Sequence, residues 1–233
     1  MPFDPNHPGT HERAWLELLE AQPVWWPQAR SLVVVSPHPD DEILGAGGLI
    51  ASYMRSGRRV ALVSVTDGEA AFPDWEELAR VRRRELDCAL GCLGASAVRI
   101  ERLGLPDGDV QSHRATLRSM LSRVISPSTL LVAPFERDGH PDHEAVGEVC
   151  LQVAREHAVA LARYPIWAWH HTDPSNLRQA QWGCLSLSHT LRRAKQSAIR
   201  AFPSQLNPPA PRHPILPTHV LPYFTRSIEA YLL

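Results

Sequence analysis

Residues 32–35 read Leu-Val-Val-Val, and residues 38–42 read His-Pro-Asp-Asp-Glu. An apolar, β-branched run without polar alternation is the pattern of a strand covered on both faces, as in parallel sheets. Open α/β sheets place their ligands just beyond the carboxyl ends of such strands. One histidine and three carboxylates at that place are costly unless a cation compensates them. A second cluster, Gly139-His140-Pro141-Asp142-His143, follows another apolar run, Leu130-Leu131-Val132-Ala133. Two histidine-carboxylate clusters, each past a candidate central strand, point to one divalent metal site built from both.

Hydrophobic periodicity and breakers predict strands at about 32–36, 60–66, 97–103 and 129–134, with helices at 42–56, 76–93, 111–125 and 141–157 between and after them. In the last helix Pro141 suits the first turn, with His140 as N-cap. Strands alternating with helices predict an α/β fold with a mostly parallel sheet and helices on both faces. A short amphipathic helix is expected at 11–21, later strands at 160–169 and 182–187, a helix at 189–201 and a terminal helix from Thr225. The chain reads as one domain, 1–233, with an N-terminal helical extension (about 1–30) and a proline-rich loop (about 203–222). Gly45-Ala46-Gly47-Gly48 is not a dinucleotide fingerprint, because the third glycine would fall at Ile50 and the acidic loop repels pyrophosphate. Small residues that bring this helix close to the sheet are the better account.

Among 233 residues, 44% are hydrophobic and 21% charged, with a formal net charge of −1. That balance gives no reason to expect nucleic acid or an anionic membrane as partner. No run reaches the ~18 apolar residues of a membrane helix. Met1–Thr10 lacks the basic and apolar segments of a signal peptide, so a cytoplasmic location is expected. Four cysteines form no C-x-x-C pair. Cys88 and Cys92 share one helix face and read as buried thiols. Homo-oligomerisation is left open.

The spacing of the clusters suits hydrolysis. His38 and Asp41, three apart at a helix entry, can chelate one ion, and His143 supplies a third ligand. Two histidines and a carboxylate with an open position make a catalytic zinc site, although another divalent ion such as Fe2+ suits the same ligands. A metal lowers the pKa of its water toward about 7, and Asp40 is placed to take the proton as general base. His140 then stabilises or protonates the tetrahedral species. Asp142 and Glu144 suit supporting roles around the ligands or at the helix N-terminus. Two other readings share these residues: a two-histidine-one-carboxylate non-haem iron oxygenase, and a non-catalytic sugar-binding protein. The parallel α/β pattern argues against the first and Asp40 against the second.

The motifs Ser36-Pro37-His38-Pro39-Asp40-Asp41-Glu42, Thr66-Asp67-Gly68-Glu69, Arg82-x-x-Glu85-Leu86, Gly104-Leu105-Pro106-Asp107-Gly108, His140-Pro141-Asp142-His143 and Lys195-x-x-Ala198 with Ser204-Gln205 resemble those of the GlcNAc-PI de-N-acetylase (LmbE-like, PIG-L) family of zinc deacetylases. The resemblance spans about residues 32–205. It implies a Rossmann-like fold and a zinc-dependent hydrolase that removes the N-acetyl group of an N-acetylglucosamine-type sugar or conjugate. By motif position it implies His38, Asp41 and His143 as metal ligands, Asp40 as base, His140 as transition-state aid, and Arg82 and Asp107 as substrate contacts. A solvated helix face is the plain alternative for Arg82, and an ordinary Pro-Asp-Gly turn for Asp107. Pro37 and Phe202 depart from the family pattern. The proline-rich segment is expected along the rim of the metal pocket. Trp167 and Trp169 read as alternating strand residues, able to stack on a sugar but more commonly packed in a core.

Overall fold

A computed structural model describes residues 7–233; residues 1–6, part of the expected N-terminal extension, lie outside the described residues. The strands are β1 (Ser31–Ser36), β2 (Arg59–Ser64), β3 (Arg99–Arg102), β4 (Thr129–Pro134), β5 (Ala160–Tyr164), β6 (Trp182–Ser186) and β7 (Ile228–Leu232). They form one sheet in the order β3-β2-β1-β4-β5-β7-β6. The first five are parallel to one another, and β7 runs antiparallel to both β5 and β6. The helices are α1 (Glu12–Leu19), α2 (Asp41–Arg55), α3 (Leu78–Leu93), α4 (Arg114–Val124), α5 (Pro141–His157), α6 (Ala168–His171), α7 (His189–Ile199) and α8 (Pro203–Leu206).

Every residue of β1 and β4 is buried, because helices cover both faces. Leu32, Val34, Leu130 and Val132 pack into a core with α2 and α3, whereas Val33, Val35, Leu131 and Ala133 pack with α4 and α5. The strand period of two divides each run between two cores, which is why both runs are apolar throughout. From β1 the chain winds outward through β2 to β3, then returns to place β4 on the other side of β1. The β1–β4 junction is therefore the topological switch point, where the crevice of an open α/β sheet forms.

Four expectations fail, the first being the loop over 203–222, which opens as the short helix α8 because Pro203 suits a first helical turn. The stretch expected as a strand over 160–169 leaves the sheet at Tyr164, just before Pro165, and turns into α6, so Trp167 and Trp169 do not alternate on a strand. Trp169 packs in the core, its ring 5.6 Å from that of Trp182. The expected terminal helix is instead β7, which fills the space between β5 and β6. Cys88 and Cys92 are exposed: the buried stripe of α3 runs through Leu78, Arg82, Glu85, Leu86, Ala89, Leu90 and Leu93, and the thiols share a face that misses it.

Candidate metal centre and active site

The loop after β1 places His38 and Asp40, and α2 begins at Asp41. The backbone N–H of His38 donates to Asp41 Oδ2 at 3.0 Å, which folds the carboxylate back over the loop. Asp41 Oδ2 lies 3.2 Å from His38 Nδ1 and 3.2 Å from His143 Nε2. The two ring nitrogens are 3.3 Å apart. These three atoms make a nearly equilateral triangle. A tetrahedral zinc ion with bonds of about 2.0–2.1 Å separates its ligands by roughly 3.3–3.4 Å, so the triangle has the size of one face of that tetrahedron. The donor set and its spacing fit a divalent ion.

Each imidazole has its other nitrogen engaged. His143 Nδ1 is 2.8 Å from Asp138 Oδ2, and a carboxylate accepts, so Nδ1 carries the proton and the Nε2 lone pair faces the triangle. Asp138 is itself fixed by the N–H groups of Ile166, Trp167 and Ala168. His38 Nε2 lies 3.1 Å from Asp107 Oδ1 and 3.4 Å from Asp142 Oδ2. Asp142 also accepts from the N–H groups of Gly108 and Val110, which ties the loop after β3 to the site. Asp107 Oδ2 accepts from Ala70 N at 2.8 Å. A second set, His38, His140 and Asp142, also brings three ligand atoms together. There both carboxylate oxygens already hold donors.

Burial opposes charge on both imidazoles. For His38, hydrogen bonds to Asp107, Asp142 and Asp41 outweigh burial and hold its pKa well above the ordinary range. For His143, the Asp41 charge and the bond to Asp138 do the same and raise it to about 9. Asp41 is correspondingly held well below the usual carboxylate range, because His143 and His38 outweigh its burial.

Asp40 is buried and adopts φ 148°, a left-handed backbone that strains any residue but glycine and that clusters at functional sites. Its Oδ2 is 3.2 Å from Arg82 Nη2. Burial raises Asp40 to about 7, against the pull of Arg82. Arg82 is only 3% exposed, so the solvated-face alternative is wrong. Its guanidinium donates to the carbonyls of Gly68 and Pro39. A Cβ at residue 68 would lie 1.8 Å from Arg82 Nη1, and Gly68 has φ +66°, so only glycine lets the arginine cross here. The neighbour Arg83 pairs with Asp67. Glu42, beside the ligands, is fully buried and raised to about 8 by desolvation, with the Asp40 N–H as partial compensation.

His140 caps α5: its Nδ1 accepts from Asp142 N at 3.2 Å, which leaves the proton on Nε2. Its ring is 4.9 Å from that of His38 and 4.8 Å from that of His143. Burial, followed by the two imidazoles, depresses its pKa to about 3.

His38, Asp40, Asp41, Arg82, Asp107 and His140 line one cavity of about 380 Å3, with Leu44, Ile166, Trp167, Gln205, Ile215 and Leu216 among its other walls. His143 sits beneath, with no exposure. The seven candidate site residues thus converge on one place, and the proline-rich segment supplies part of the rim. Sequence reasoning missed Asp138. The signal was partly present: a ligating histidine needs an acceptor for its second nitrogen, and Asp138 is one of two acids in the loop before it, the other being Glu136. Glu85 was noted within a motif but its role was not: it receives both the N–H and hydroxyl of Ser204 and so anchors the segment carrying Gln205.

The chain is 32% identical over 167 residues to a 1D-myo-inositol 2-acetamido-2-deoxy-alpha-D-glucopyranoside deacetylase of Rhodococcus jostii, covering 58% of this chain and 56% of that protein. It thus spans little more than half the length of that relative. It is 29% identical to the deacetylase of the same name from Mycobacteroides abscessus, over 76% of this chain and 82% of that one. The structure of N,N'-diacetylchitobiose deacetylase from Pyrococcus horikoshii superposes with a TM-score of 0.61 at 23% identity, over 84% of this chain and 80% of that chain, a likeness of fold. The sequence profile of the GlcNAc-PI de-N-acetylase (PIG-L) family matches residues 33–154, the stretch that runs from β1 through both histidine clusters, and the chain belongs to that family.

Proposed function

We propose that the protein is a zinc-dependent hydrolase that removes the N-acetyl, or another small N-acyl, group from an N-acetylglucosamine-type amino sugar or its conjugate. The observation that carries this reading is the triangle of His38 Nδ1, Asp41 Oδ2 and His143 Nε2, with the Asp40 carboxylate beside it. When bound, the ion supplies Lewis acidity and lowers the pKa of its water toward about 7. Asp40 would take the proton of the water that attacks the amide carbon. Arg82 fixes the carboxylate and favours its ionised form. His140, neutral with its proton on Nε2, donates a hydrogen bond to the oxygen of the tetrahedral species and is too weak a base to be the proton carrier. The proton on Asp40 then passes to the leaving amine. Arg82 and Asp107, both at the cavity wall, are the proposed substrate contacts.

The relatives named as deacetylases of an acetamido sugar support this substrate class. The oxygenase reading leaves Asp40 and Arg82 without a task. No helix among the described residues is long and apolar enough to cross a membrane. All four cysteines are free thiols, which suits the reducing cytoplasm. The decisive experiment is a panel of N-acylated amino sugars and glycoconjugates, offered to protein loaded with Zn2+, Fe2+ or Co2+, with released primary amine as readout. At least one N-acetylglucosamine derivative should yield amine, and His143→Ala should abolish both metal and turnover. Metal-loaded protein that releases no amine across the panel, or that consumes oxygen, overturns the reading.

A further inference from the structure

Helix α2 carries Asp41 at its first position, and at its second turn a side chain from the far end of the chain reaches its backbone. Glu229, on β7, is 4% exposed. Its Oε1 accepts from Gly48 N at 2.6 Å and its Oε2 from Leu49 N at 2.9 Å. Those two N–H groups belong to the i→i−4 ladder of the helix. The ordinary acceptor for Gly48 N–H is the carbonyl of Leu44, and that carbonyl accepts from Lys195 Nζ at 2.7 Å. Lys195, on α7, is the other half of the device: its Nζ is 2.6 Å from Glu229 Oε1. Tyr231 Oη completes the shell at 2.8 Å from Oε2. A Cβ at residue 48 would lie 3.0 Å from Glu229 Oε1 and 2.4 Å from Leu187 Cδ2, so glycine is what admits the carboxylate to the helix backbone.

A buried ion pair is a poor way to gain stability, since desolvation offsets most of the attraction. Its position is what matters. The backbone of Leu44 is held on both sides: its N–H donates to Asp40 O at 2.8 Å, and its carbonyl accepts from Lys195. Asp40 is the strained residue of the site. A strained backbone persists only where its surroundings over-determine it, and the one-turn stretch from Asp40 to Leu44 is pinned at one end by the loop after β1 and at the other by this pair. We infer that Lys195 and Glu229 are positioning residues: wedged into α2, they hold its first turn, and with it Asp40 and Asp41, in the geometry that the metal and the attacking water require.

The inference rests on the metal-site reading above, and the test separates the two. Wild-type protein stripped by chelation and titrated with Co2+ gives a reference affinity and a visible ligand-field spectrum. If the wild type shows no Co2+ site that His143→Ala abolishes, the metal-site reading falls. Given that site, the neutral double variant Lys195→Met/Glu229→Gln should retain the wild-type circular dichroism. It should bind Co2+ about 10–100-fold more weakly, the usual cost of disturbing outer-shell support, with an altered spectrum and a kcat loss that outweighs any change in KM. Glu229→Gln alone, which keeps an amide oxygen for the ladder, should fall between the two. Gly48→Ala, which leaves both charges in place and pushes the carboxylate off the helix, should reproduce the spectral change. Folded variants with wild-type affinity, spectrum and kcat overturn the inference. So does unfolding of all three, because a pair needed for folding at large is not a positioning device.

Discussion

The two strand-end loops that build the site solve one problem in opposite ways. The loop after β1, residues 37–40, is short and strained and delivers the proposed base and one candidate ligand, with a second candidate ligand at the first position of the helix behind it. It carries no carboxylate of its own to orient His38; the acceptors for His38 Nε2 come from elsewhere, Asp107 from the loop after β3 and Asp142 from α5. The loop after β4, residues 135–140, precedes a single candidate ligand, His143, and brings that residue's acceptor, Asp138, with it. One histidine thus has two shared supports and the other a single dedicated support. Support that is shared tolerates the loss of one partner; dedicated support does not.

Three variants test that contrast. The largest effect belongs to the strained loop. Asp40→Asn should leave metal content near that of the wild type and lower turnover by about 10²–10⁴-fold, as loss of a general base does. Only the ionised carboxylate accepts a proton, so the wild-type rate should climb with pH as Asp40 ionises. A bound cation favours the ionised form, which places that climb below the value of about 7 that burial sets in the metal-free protein. In the variant the climb should be absent. Metal loss in Asp40→Asn would show that Asp40 is a ligand.

Next comes the dedicated support. Asp138→Asn faces three backbone N–H groups and one imidazole N–H with a single acceptor oxygen, and should weaken metal binding about 10–100-fold. Equilibrium dialysis against a chelator measures it. The smallest effect is expected for Asp107→Asn, less than about tenfold in metal affinity, at the low end for such groups, because Asp142 remains beside His38 Nε2. A loss as large as that of Asp138→Asn would break the comparison and make Asp107 the sole orienting group of His38.

What the sequence made legible follows the same physics. β1 and β4 were readable because both faces are buried, so their apolar runs are continuous and end at a cluster of charge. Helix α5 was readable because Pro141 and His140 mark its start chemically. β7 was not, because Ile-Glu-Ala-Tyr-Leu is a short run that suits a helix as well as a strand. Its single charge, Glu229, is buried by contacts with α2 and α7 that no local pattern carries. The six site residues that line the cavity were legible as a set, but the partners of Arg82 were not. Arg80, Arg83 and Arg84 stand beside it in sequence, and only the helix phase decides which arginine turns inward. Asp138 was hidden for a different reason, since an acid before a glycine reads first as a turn.

The rim formed by Gln205, Ile215 and Leu216 has a consequence in time as well as in space. The three candidate metal ligands and both central strands have all been synthesised once residue 143 is added, whereas the cavity wall awaits residue 216 and the hold on α2 awaits residue 229. At about 5–20 residues per second, the interval from ligand set to finished helix is roughly 4–17 s. A ribosome-bound chain therefore passes through a stage in which it owns every group needed to grip an ion and lacks the chamber that selects what the ion will act upon.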